Sequence, residues 1–165
     1  MHRAKIVHGD IKADNVLVAY DMEGNYVAKL ADFGSSILLD SVSSSRPARY
    51  YGTQITNAPE TQNQSQTPIP LNMLARCDVY SLGILFLHIF AGELPENWTV
   101  KDETVMESGI AYIEEKVPED FRTALVKSCR HLLPYDQERR CSDLAIVKDI
   151  LAQNEHCEYS DTEMR

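Results

Sequence analysis

The apolar positions of this chain change period along its length, and the changes mark the elements. Val16-Leu17-Val18-Ala19-Tyr20 and Tyr26-Val27-Ala28-Lys29-Leu30 are short, β-branched or apolar runs on either side of the polar stretch Asp21-Met22-Glu23-Gly24-Asn25. That pattern predicts a β-hairpin with Glu-Gly-Asn at its tip. Residues 35–60 show no period, and Ser41–Arg49, rich in serine, reads as a loop. Residues 61–70 form a second polar loop, an insertion rather than a domain boundary. From Asp78 to Gly92 the chain is apolar almost all round, which predicts a helix buried inside the fold, with Gly92 as its C-cap and Pro95 blocking continuation. Further helices are expected at Glu103–Lys116, Glu119–Leu133 and Ser142–Gln153. In the last of these, Leu144, Val147, Ile150 and Leu151 share one face. The end, 154–165, is acidic and is expected to fray. No internal repeat is visible, and one domain over 1–153 with a tail accounts for the pattern.

The chemistry-bearing residues cluster around the hairpin. Before it stands His8-Gly9-Asp10-Ile11-Lys12-Ala13-Asp14-Asn15, and after it Asp32-Phe33-Gly34, with Ala58-Pro59-Glu60 further on. A hairpin brings its two ends together, so Asn15 and Asp32 can serve one site although the hairpin separates them in sequence. Singly, H-x-D and D-F-G are commonplace. In this order, joined by a hairpin and followed by A-P-E, they resemble the catalytic loop, metal aspartate and activation-segment end of the protein kinase family. The resemblance extends over nearly the whole chain.

It implies a mainly α (α+β) fold, a protein-kinase-like C-terminal lobe whose small hairpin carries the catalytic loop and D-F-G. Residues 1–7 would be the last turn of the helix leading into that loop. It implies ATP and Mg²⁺ as co-substrate and cofactor, and a protein as substrate. Asp10 would be the catalytic base and Lys12 would neutralise the transferred phosphate. Asn15 and Asp32 would hold the metal. His8 would be structural, packing near Phe33. Gly52-Thr53 resembles the substrate-facing loop of Ser/Thr kinases, where the threonine hydroxyl bonds the catalytic aspartate and lysine, so Ser/Thr transfer is favoured over Tyr. Glu60 and Arg140 resemble the family's buried ion pair, with adjacent Arg139 as a rival. Asp78 resembles the aspartate that braces the catalytic-loop backbone.

Two departures stand out. Gly9 occupies the place of an arginine that normally meets an activation-loop phosphate, so the serines at 41–45 lose their expected partner and read as a solvated loop. The glycine-rich loop, strand lysine and helix glutamate that the family sets before the catalytic loop are not found in these 165 residues, whose seven glycines are all isolated. The N-terminal lobe is therefore read as absent. The chain alone is expected to be inactive and to expose an apolar patch that self-association or a partner covers. The other readings are a non-catalytic kinase-like binding module and a small-molecule phosphotransferase. A-P-E and Gly52-Thr53 speak for the protein kinases.

Composition narrows the rest. Net charge −9 argues against a nucleic-acid or membrane-surface binder. The longest apolar run, Leu82–Ala91, is too short to span a bilayer. With no secretory signal visible, a cytoplasmic or nuclear location is expected. Cys77, Cys129, Cys141 and Cys157 lack zinc-site spacing and read as reduced thiols, some of them buried.

Overall fold

The computed structural model describes residues 1–43, 48–64, 67–94, 98 and 102–153. Four strands are assigned among them, β1 (Ile6–Val7), β2 (Val16–Tyr20), β3 (Tyr26–Leu30) and β4 (Ile37–Leu38). Four helices follow, α1 (Leu74–Ala91), α2 (Val105–Lys116), α3 (Glu119–Leu132) and α4 (Ala145–Ala152). The fold is α+β with helix predominant, as the resemblance implied.

The hairpin forms with the expected bounds. β2 and β3 pair antiparallel from Val16 opposite Leu30 to Tyr20 opposite Tyr26. Asp21 builds the turn: its Oδ1 accepts from the amides of Glu23 at 2.9 Å and Asn25 at 2.8 Å, while Gly24 takes a φ of 85° that L side chains avoid.

Residues 1–7 depart from the expectation of a single helical end. His2–Ala4 make one 3₁₀ turn, Lys5 turns the chain with a φ of 56°, and β1 pairs with β4. The period-free stretch 35–60 thus contains a strand. Its two residues are too few for a periodic signal, and its partner lies thirty positions away, so only the tertiary fold reveals it.

α1 begins at Leu74, a turn earlier than expected, and ends at Ala91 with Gly92 capping it at a φ of 92°. In its first turn Arg76 donates from one nitrogen to the carbonyls of Gln137, Glu138 and Arg140 at 2.7–2.8 Å. α2 starts at Val105 rather than Glu103, and α3 ends at Leu132, one residue early. α4 is shorter at both ends than Ser142–Gln153. The tail 154–165 and residues Ser44 and Ser45 of the serine cluster lie outside the described residues.

α1 is the centre of the molecule, contacting α2, α3 and β1. By length and composition it could cross a membrane, with a mean hydropathy of 1.5, yet 56% of it is buried within the fold. Protein packing accounts for its apolarity. Gly83 lets α3 come close, since a Cβ there would sit 2.7 Å from Leu133 Cδ2 and 2.9 Å from Leu132 Cβ. Cys77, Cys129 and Cys141 are buried free thiols. Burial pushes the Cys129 thiol up to about 12, so it stays protonated and behaves as a small hydrophobe.

One buried carboxylate ties the loops to α1. Asp78 accepts from the backbone amides of His8 (2.7 Å) and Gly9 (3.0 Å), from the Tyr50 hydroxyl (2.9 Å) and from His2 Nε2 (2.8 Å). It thereby braces the backbone before Asp10, as expected. Burial, followed by the neighbouring Asp78 charge, drives the Tyr50 phenol well above its ordinary value, so it remains a donor. Truncation by Asp78→Ala would orphan two buried amides and leave the Tyr50 hydroxyl only its 3.3 Å contact with Ser81 Oγ. The expected loss is roughly 3–5 kcal/mol of stability, read as a lower urea midpoint; an unchanged midpoint would contradict the bracing role.

Candidate active site

Asp10 follows the braced turn directly. Its Oδ1 accepts from Thr53 Oγ1 at 2.7 Å, and its Oδ2 lies 3.0 Å from Lys12 Nζ. Lys12 also donates to Thr53 Oγ1 at 2.9 Å, closing a triangle of carboxylate, ammonium and hydroxyl. Thr53 is brought there by Gly52, whose φ is 43° and whose missing Cβ would lie 2.8 Å from Gly9 O. The Gly-Thr step thus makes the contact anticipated from its resemblance.

Asn15 locks the loop to itself. Its Nδ2 donates to Asp10 O at 2.8 Å and Asp10 Oδ2 at 3.1 Å, which leaves Oδ1 as the end free to serve another group. The Asn15 carbonyl accepts from Ala31 N at 2.8 Å, so Asp32 is the next residue beyond this tie. Asp32 holds a left-handed conformation (φ 57°, ψ 76°), accepts from Gly34 N at 3.1 Å through Oδ1, and is exposed. An amide oxygen and a carboxylate oxygen at the two ends of one hairpin are hard donors of the kind Mg²⁺ takes, the remaining positions going to water and phosphate. The donor set fits the ion.

His8 is buried, with its ring 5.0 Å from that of Phe33. Its Nδ1 accepts from Asp10 N at 3.3 Å and its Nε2 faces Ala31 O at 3.0 Å. One acceptor and one donor position suit the neutral ring carrying its proton on Nε2. The histidine therefore joins the two halves of the site and is structural, as expected.

Gly9 explains its own departure from the family pattern. Its φ is 83°, and a Cβ would lie 2.3 Å from Ser35 O. The backbone after Asp32-Phe33-Gly34 lies where a side chain would begin. The segment beyond it is held by the β1–β4 pairing and by Lys5, which bonds Asp40 at 2.8 Å.

The ion pair expected of Glu60 forms with Arg140, not Arg139. Two bonds of 2.6 and 2.8 Å join the guanidinium to both carboxylate oxygens, and its remaining donors reach the carbonyls of Pro134, Arg76 and Tyr135. Arg140 is fully buried and lies over the Tyr80 ring, while Arg139 is exposed. Three contributors escaped the sequence reading: His2, Tyr50 and Gln64, whose side-chain amide clamps both backbone groups of Tyr50. Tyr50 stands two residues before Gly52 and Gln64 eleven after Thr53, both in stretches without a periodic pattern.

Electrostatics set Asp10 apart. Burial pushes its carboxyl up, but bonds from Thr53 and Lys12, the Lys12 charge and the Asn15 amide together outweigh it and hold the group below the ordinary aspartate value. A lowered value in the fold means that the ionised form stabilises it above the ordinary pKa, a contribution lost as pH falls through the depressed one. Thr53→Val removes the first of those bonds with little change of shape. The Asp10 midpoint, followed by carboxyl-carbon NMR, should then move up; a stationary or lower midpoint would contradict this assignment.

The triangle of Asp10, Lys12 and Thr53 thus stands beside the hairpin whose two ends carry Asn15 and Asp32. The family model described as the protein kinase domain matches residues 1–154, and the chain belongs to that family. It is 31% identical over 162 residues to the serine/threonine-protein kinase SBK1 of Danio rerio, covering 94% of this chain and 39% of that protein. It is 31% identical over 133 residues to the serine/threonine-protein kinase BCK1/SLK1/SSP31 of Saccharomyces cerevisiae, covering 81% of this chain and 8% of that one. It is also 36% identical over 110 residues to the mitogen-activated protein kinase kinase kinase mkh1 of Cytospora mali, covering 64% and 5%. The chain therefore spans well under half the length of these curated relatives.

Proposed function

We propose that this chain carries the hydroxyl-orienting and metal-holding part of a serine/threonine protein kinase, with ATP as phosphoryl donor and a protein as acceptor. The observation that carries the reading is the Thr53 hydroxyl, which donates to Asp10 and accepts from Lys12. That bond fixes the two groups that would face an incoming hydroxyl, and the serine/threonine kinases among the relatives agree with it.

The contacts that hold the Asp10 carboxyl below its ordinary value favour its ionised, accepting form. A weak base does not strip a serine early; it accepts the hydroxyl's hydrogen bond and aims the oxygen in line. The proton passes to Asp10 as the new O–P bond forms and the bond to the ADP oxygen breaks, which suits a loose transition state. Lys12, already fixed between Asp10 and Thr53, would offset charge on the transferred group. Asn15 Oδ1 and the Asp32 carboxylate would hold Mg²⁺, which when bound neutralises the ATP phosphates.

These residues contain no glycine-rich loop to clamp the nucleotide, so this chain alone should transfer nothing measurable from radiolabelled ATP to a serine or threonine peptide. A version extended with an upstream nucleotide-binding lobe should transfer, and Asp10→Asn should abolish it. Robust transfer by the short chain, or an extended form indifferent to Asp10→Asn, would overturn the reading.

A second consequence concerns association. β2 and β3 are largely exposed on both faces, with Leu17 60%, Tyr20 66% and Tyr26 74% accessible. An apolar groove of about 300 Å³ runs between the hairpin and α1, lined by Ile11, Val16, Leu30, Leu82, Phe86 and Ile89 among others. A two-stranded hairpin is marginal alone, and an open apolar patch favours cover. In isolation the chain should self-associate or bind a hydrophobic dye. Light scattering that shows a dye-negative monomer across a wide concentration range would contradict this.

A further inference from the structure

α2, α3 and the loop after α3 enclose a cavity of about 470 Å³ that includes no residue of the site around Asp10. Met106 of α2, Pro134 and Tyr135 give it an apolar side, and Arg130 of α3 and Arg139 bring two guanidinium groups to it. Its rim is held from within the fold. Arg140 donates to the carbonyls of Pro134 and Tyr135 at 2.8 and 3.0 Å, and Asp136 Oδ1 caps the next turn by accepting from Glu138 N at 2.9 Å. Arg139 ends that turn, is exposed, and among the described residues is in no ion pair. Arg130 has one partner, Glu107 at 3.8 Å, with both side chains exposed, a contact worth little in water. Of the two carboxylates that also line the cavity, Asp136 serves the cap and Glu103 is exposed.

An apolar hollow with a guanidinium on either side suits an aromatic side chain flanked by carboxylates. The chain carries such a stretch beyond α4. Residues 154–165 hold Glu155, Glu158, Asp161 and Glu163 against one arginine, with Tyr159 between Glu158 and Asp161. Reach permits the contact. α4 starts at Ala145, soon after Arg139, packs against α3, and with 8 residues is about 12 Å long. The segment after it, fully extended, spans about 40 Å, enough to return along α4. The tether also makes the contact intramolecular, so weak exposed pairs suffice. A separate acidic partner would face the chain's net charge of −9 without that help.

We propose that the segment 154–165 turns back and docks in this cavity, with Tyr159 in the apolar hollow and Glu158 and Asp161 on the two arginines. Docking replaces the fraying expected of an acidic end and closes the surface between α2 and α3. The inference stands apart from the kinase reading, because neither the cavity nor the segment contains Asp10, Lys12, Asn15, Asp32 or Thr53.

The full chain tests it by paramagnetic relaxation. Cys77, Cys129 and Cys141 are buried, so a thiol-directed nitroxide is aimed at Cys157, two residues from Tyr159. In the isotope-labelled chain, the amides of Arg130, Tyr135 and Arg139 should lose signal and regain it when the nitroxide is reduced, while the hairpin amides keep theirs. Added salt should weaken the loss, since exposed charges are screened. Arg130→Glu with Arg139→Glu should abolish it, as should Glu158→Lys with Asp161→Lys, and the four changes together should restore it. The lysine pair leaves every described residue unchanged, so it reads the docking even where the arginine variant does not fold. Mixing nitroxide-bearing chains with isotope-labelled chains that lack the nitroxide reports contact between copies, and should leave these amides unbroadened.

Signal loss spread evenly over the fold, loss that survives the lysine pair, or loss of equal size in the mixed sample would overturn the docking. None of these outcomes bears on the Asp10→Asn transfer assay.

Discussion

Four donors converge on the buried carboxylate of Asp78, and the position of the whole site depends on that convergence. Two of them are consecutive backbone amides, so the path of the chain into Asp10 is set from α1 rather than by the loop itself. The third, Tyr50, comes from the segment that delivers Thr53, and the fourth, His2, from the chain's first turn. A buried carboxylate is costly to desolvate, and such an arrangement is stable only when its lone pairs are filled. Here they are filled by pieces that have no other reason to meet. The same anchor therefore sets Asp10 from one side and Thr53 from the other.

A second buried charge plays the matching part below. Arg140 joins Glu60, at the end of the activation segment, to carbonyls at 76, 134 and 135. Cys77 donates its thiol to the same carboxylate at 3.3 Å. One turn of α1, from Arg76 to Asp78, thus borders both charge clusters. Bonds to this turn tie both the backbone before Asp10 and the Tyr50 segment that leads to Thr53. A glycine at position 9 belongs to the same economy of space, because the backbone of Ser35 closes against it where a side chain would stand.

The site and the groove are two sides of one arrangement. The hairpin holds Asn15 and Asp32 at its open end, yet its strands are largely exposed and among the described residues pair with each other. Asp32 lies exposed at the hairpin's end, while Asn15 is buried and bonded to Asp10, which the Asp78-braced backbone holds against α1. A cavity of about 290 Å³ lies beside Thr53 on this more packed side.

The sequence by itself determined the hairpin, the four helices to within a few residues, and the identity of Asp10, Lys12, Asn15 and Asp32 as the residues to watch. Strong local patterns account for this: short β-branched or apolar runs around a polar turn with Gly24, an apolar helix ended by Gly92, and motifs whose spacing is short. It also pointed to Glu60 and Asp78 as anchors. What it left open were choices made by contacts distant in sequence. Arg140 rather than Arg139 takes Glu60 because only one of two neighbouring side chains points inward from the turn at 137–139. Strands β1 and β4 exist because each completes the other across thirty residues, and two residues carry no periodic signal alone. His2, Tyr50 and Gln64 became part of the site through three-dimensional packing onto Asp78 and onto one another's backbone. A polar residue in a patternless loop gives no local sign of which buried partner it will satisfy, so the tertiary structure alone decided it.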